Sequence, residues 1–85
     1  MNTNQKLRTF DLIREAVLPE YRERVAEYLC LYEEVLHDAA AEPAAILASA
    51  QQLRGYLRGL NTTRVLGMAD LEELDRRVLE SWLSA

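Results

Sequence analysis

The sequence predicts an all-α protein: a small antiparallel helical bundle of about four helices, closed within one chain or completed as a homodimer. Three observations carry this. Apolar residues recur at alternating spacings of three and four along nearly the whole chain, the period of helices with one buried face. No segment alternates apolar and polar residues as a half-buried strand would. Only two prolines and three glycines interrupt 85 residues, which is too little punctuation for a fold of many short strands.

The first helix is expected from Asn4 to Val17, with Leu7, Phe10, Ile13 and Val17 inward. Pro19 ends it by disfavouring the helical conformation at Leu18. Proline suits a first helical position, because its missing N–H would be unpaired there anyway, so the second helix begins at Pro19. Its inward stripe is Tyr21, Val25, Tyr28, Tyr32, Val35 and Ala39, widened by Leu29 and Leu36. Pro43 would cost about 3 kcal/mol inside a helix. A tight turn is therefore placed near Ala41-Glu42, and the third helix starts at Pro43; one kinked helix from Pro19 to Leu60 is the alternative. Ile46, Ala50, Leu53, Leu57 and Leu60 form its inner face, and Asn61 is expected as a left-handed cap. A loop with Gly67 as its flexible point follows. Asp70-Leu71-Glu72-Glu73 then reads as a capping box, and the last helix turns Leu71, Leu74, Val78, Leu79 and Trp82 inward.

The 85 residues form a single domain, near the size at which a monomeric core is marginal. The formal net charge is -4, which argues against a protein that holds nucleic acid mainly through its phosphates. One cysteine, Cys30, excludes an internal disulfide and reads as a small filler at a helix boundary. The start, Met1 to Lys6, lacks an apolar targeting core. No apolar run is long enough to span a bilayer. A free thiol beside these features suggests the cytoplasm, with no membrane association.

Chemistry is sparse. His37 is the single histidine and lies two helical turns from Cys30, about 10.5 Å, too far to activate the thiol. No arrangement for a nucleophilic triad, no glycine-rich phosphate loop and no tuned carboxylate pair is visible, so neither an enzyme nor a bound cofactor is expected. Glu34-Val35-Leu36-His37 matches the Glu-x-x-His spacing of di-iron bundles, but Glu34 falls opposite the apolar stripe and no metal is assigned.

The second helix carries a denser pattern. Glu20, Glu23, Glu27, Glu34 and Asp38 lie opposite its apolar stripe, with Leu31 outward among them. From Pro19 to Glu42, seven acids face two arginines, a local charge of -5. Either a solvated face or a ridge that binds a basic partner follows from this. Tyr21, Tyr28 and Tyr32 are core side chains or an aromatic contact surface. On the third helix, Ala44, Ala48, Gly55 and Gly59 share a back stripe where another helix could pack closely. Arg54, Arg58 and Arg64 make Pro43–Gly67 locally +3, the set a nucleic-acid binder would use.

His37-Asp38 followed by Pro43-Ala44-Ala45-Ile46-Leu47 resembles the phosphoacceptor segment of histidine-kinase dimerisation helices, where a His-acid pair precedes a proline and an Ile-Leu step. The likeness runs from His37 to Leu53. Here the proline stands one residue late and the usual Asn, Thr or Arg before it is missing. The resemblance implies a phosphotransfer or kinase-mimicking hairpin with His37 as phosphoacceptor. The expectation from the residues themselves is a non-enzymatic regulator, inhibitor or adaptor, of a kind carried by phages and mobile elements, that binds another protein and forms a homodimer.

Overall fold

A computed structural model describes residues 3–83, with side chains from Lys6 onward; Met1 and Asn2, the first residues of the stretch read for targeting, lie outside it. Helix α1 spans Thr3–Ala16, a 3-10 turn Pro19–Tyr21, α2 Arg22–Leu36, α3 Pro43–Thr62, α4 Met68–Val78, and a π turn Leu79–Leu83. Among the described residues there is no strand. Each helix packs on its sequence neighbours, and α1 packs on α4, which closes the bundle. The 20 residues of α3 span about 30 Å and run most of the long dimension of a molecule measuring 34 × 22 × 21 Å.

The core draws Phe10, Ile13 and Val17 from α1 and its exit, and Val25, Leu29, Tyr32 and Leu36 from α2. Ala50, Leu53, Leu57 and Leu60 come from α3, Val65 and Leu66 from the connection, and Leu74 and Val78 from α4. Leu29, Leu53 and Leu57 are wholly buried. The expected inner face of α3 therefore holds, although Ile46 is only half-buried at its edge.

On α2 the buried stripe is turned from the expected one. Tyr21, Tyr28 and Ala39 are exposed, Val35 is half-buried, and Leu29 and Leu36 are central. Both α1 and α3 pack on α2, and the residues of α2 that are buried are Val25, Leu29, Tyr32 and Leu36. Leu7 and Leu79, also expected inward, are 47% and 36% exposed. Leu79 follows buried Val78 by one residue, about 100° round the helix, and Ser81 takes the next buried position.

Pro43 starts a new helix and does not kink a long one. Glu42, extended at φ -68 and ψ 146, precedes it. The reversal is built by Asp38, whose Oδ1 accepts from Ala40 N at 2.8 Å and whose carbonyl accepts from Ala41 N at 3.1 Å.

The end of α3 departs from expectation. Asn61 stays helical and donates its side-chain amide to Leu66 O at 2.9 Å. Arg64 instead takes the left-handed conformation, φ 65. Val65 N donates to Leu60 O (2.8 Å) and Arg64 N to Asn61 O (2.9 Å), the paired bonds of a Schellman motif, with Leu60 and Val65 in its hydrophobic positions. Helix α4 likewise starts earlier than expected. Gly67 is its N-cap, with ordinary extended angles, so Asp70 is the third helical residue and not the cap. There its charge still complements the helix N-terminus.

Three cross-links fix neighbours. Arg54 binds Asp75 with Nε–Oδ1 2.8 Å and a second bond of 3.2 Å, joining α3 to α4. Arg14 pairs with Glu33 between α1 and α2. Leu18 N donates to Val65 O at 3.0 Å, tying the first connection to the third.

Candidate functional site: an aromatic groove beside an acidic ridge

Turning the buried stripe of α2 toward Leu29 leaves one flank of that helix uncovered. The flank forms a wall of an open groove of about 510 Å³, lined by Tyr21, Arg24, Val25, Glu27, Tyr28 and Leu31, with Tyr56, Leu60 and Val65 as its other wall and floor. Tyr21, Tyr28 and Leu31 are 41%, 46% and 57% exposed. A large apolar side chain in water is ordinary singly; three on one concavity are not.

Tyr28 and Tyr56 line the groove and meet the buried Tyr32 behind it. Tyr28 lies 4.5 Å from Tyr56 and 5.8 Å from Tyr32, and Tyr32 lies 6.0 Å from Tyr56. Such edge-on and tilted ring contacts hold each other in place. Burial, then a hydrogen bond with Tyr28, pushes the Tyr32 phenol up to about 12. Burial also raises Tyr56. Both are neutral at ordinary pH and serve as contact surface, not as bases. The groove thus offers phenol faces, aliphatic carbon, one guanidinium and one carboxylate.

One of the acidic residues, Glu27, lines this groove. Glu23, Glu27 and Glu34 are exposed on α2, and Glu20 is exposed on the 3-10 turn before it. Asp38 does not extend the ridge along the helix, because α2 ends at Leu36 and Asp38 is spent on the turn. Leu31 lies where groove and ridge meet.

The remaining candidates are scattered. His37 is exposed but caps the end of α2, with its ring edge-on to Phe10 at 4.9 Å. The resemblance to a phosphoacceptor segment requires a histidine on the body of a helix, so the geometry departs from it. Cys30 is mid-helix and exposed, not a filler at a boundary, and its thiol donates to Ala26 O at 3.5 Å. Among the described residues, no three His, Cys, Asp or Glu side chains are grouped to hold a metal. Ala44, Ala48, Gly55 and Gly59 are exposed. A Cβ placed on either glycine would meet nothing within 4 Å, so a helix packed closely there must come from outside the protomer. Arg54 is committed to Asp75, whereas Arg58 and Arg64 are exposed. No described helix is long and apolar enough to cross a membrane.

Sequence reasoning missed Tyr56, Leu60 and Val65 as one side of the groove, and Arg24 as part of the other. The available signal was Tyr56, a fourth tyrosine one residue off the inner stripe of α3. Its meeting with Tyr28 depends on how α2 and α3 are rotated against each other.

The fold and this face define a small four-helix bundle bearing an aromatic groove on a helix with exposed acids. No protein-family model, curated protein or solved structure matches the chain, so the functional reading rests on the geometry.

Proposed function

We propose that this protein is a non-enzymatic regulator that binds another protein through the groove, taking a segment with apolar anchors and basic flanks. The observation that supports this is the exposure of Tyr21, Tyr28 and Leu31 on one concavity lined also by Glu27, with Glu20, Glu23 and Glu34 exposed on the same helix and the turn before it. Apolar anchors would be desolvated there, each contributing about 1.5–3 kcal/mol when fully buried. The acids would attract a basic partner and set its register, raising the association rate more than the final affinity. Tyrosines held by each other lose little freedom on binding, which favours them as contact residues.

The test is a paired capture from the native host. Wild-type protein and Leu31→Asp are used as baits, with circular dichroism showing both folded. A partner kept by the wild type and lost by Leu31→Asp supports the reading. A partner held equally by both baits shows that the groove is not the docking face.

A further inference from the structure

The 3-10 turn and α2 together carry a second repeat, distinct from the buried stripe Val25, Leu29, Tyr32 and Leu36 and exposed except at the half-buried Val35. Tyr21, Tyr28 and Val35 are seven residues apart, and so are Arg24 and Leu31, three residues after each tyrosine. Glu20, Glu27 and Glu34 are also seven apart, one residue before each member of the first set. In a coiled coil the first two sets are the seam and the third is the charged flank that selects a partner. Single-chain packing of the bundle covers this heptad only in part: Val35 is half-buried, whereas Tyr28 and Leu31 remain 46% and 57% exposed.

Resting on the groove reading above, we infer that the occupant is an amphipathic α-helix of a different protein. It lies along α2 with apolar residues against Tyr28 and Leu31, and with lysine or arginine at seven-residue intervals against Glu20, Glu27 and Glu34. Three arguments select this occupant. The lining comes from helices, a 3-10 turn and a capped helix end, and the carbonyl of Val65 at that helix end already accepts from Leu18 N. An inserted strand would find no free sheet edge to pair with, whereas a helix satisfies its own backbone. Tyr21 to Leu31 covers about 15 Å at 1.5 Å per residue, room for a helix with anchors at i, i+3 or i+4, and i+7. Charge in one orientation and burial in the other exclude a second copy of α2. Laid antiparallel, it would set Glu20, Glu27 and Glu34 against their own equivalents. Laid parallel, it would direct them at Val25 and Tyr32, which are buried in the core.

The experiment uses the full chain and three synthetic peptides of about three heptads. One carries leucine on the seam and lysine on the flanks. The second has the same composition out of phase. The third has glutamate for lysine. Titration calorimetry should show the phased basic peptide binding at least about tenfold tighter than either other peptide, gaining helicity on binding and weakening with added salt. The combined Glu20→Lys, Glu27→Lys and Glu34→Lys variant should invert the preference toward the acidic peptide. Equal binding of phased and out-of-phase peptides, or an unchanged preference in the triple variant, overturns the helical inference. In that event, a partner still lost by the Leu31→Asp bait leaves the groove reading standing; a partner retained by that bait removes both.

Discussion

Trp82 Nε1 donates to the carbonyl oxygen of Leu36 at 3.2 Å, joining the π turn at the end of the fold to the last residue of α2. The bond spans 46 positions and fills one of the helix-terminal acceptors that no residue of α2 can reach. The indole also stands 5.7 Å from Phe10, whose other neighbour is His37. One end of the bundle is thus closed by an aromatic group anchored to a helix terminus.

Replacing Trp82 by Phe keeps an aromatic ring but removes the donor. A cost of about 1–2 kcal/mol is expected, from the lost bond and the smaller ring. Urea unfolding followed by circular dichroism measures it. A midpoint equal to that of the wild type would show that the π turn contributes nothing to closure.

Arg64 occupies a left-handed position that favours glycine, because a Cβ crowds the following carbonyl there. Arg64→Gly should therefore stabilise the protein by about 0.5–1 kcal/mol, despite the greater freedom glycine gives the unfolded chain. An elevated thermal midpoint is the readout.

Gly55 is exposed in the interior of α3 with open space where a Cβ would go. Gly55→Ala should add about 0.8–1 kcal/mol of helix stability to the isolated protomer. If the small-residue stripe packs against another copy, the same substitution should instead lower the mass measured by light scattering at matched concentration.

The tyrosine cluster makes stability sensitive to alkali. Tyr32 releases its proton near 12 in the folded protein, against about 10 when unfolded. Its pKa is raised by folding, so its contribution is complete below pH 10 and is lost as the pH climbs through 12. Over that window the loss is about 2–3 kcal/mol, and Tyr56 adds to it in the same direction. Denaturant midpoints at pH 9 and 11.5 should differ, and Tyr32→Phe should reduce the difference.

Local chain properties determined the helices. Pro19 and Pro43 start helical turns because a missing N–H costs nothing there, and the three-four spacing on α3 placed Leu53, Leu57 and Leu60 in the core because that face has one broad inward side. Asn61 and Asp70 misled because capping preference names residue types suited to a helix end, while the bonds that end the helix depend on what the next segment can reach. Only the tertiary arrangement decided which flank of α2 stays open. Its apolar arc, from Tyr21 and Leu31 round to Leu29 and Leu36, is wider than the contact that α1 and α3 can cover. The angles at which those neighbours pack bury Leu29 and Leu36, leave Tyr21, Tyr28 and Leu31 in water, and bring Tyr56 within 4.5 Å of Tyr28. A one-dimensional pattern records how much apolar surface a helix carries, and long-range packing chooses which part of it is hidden.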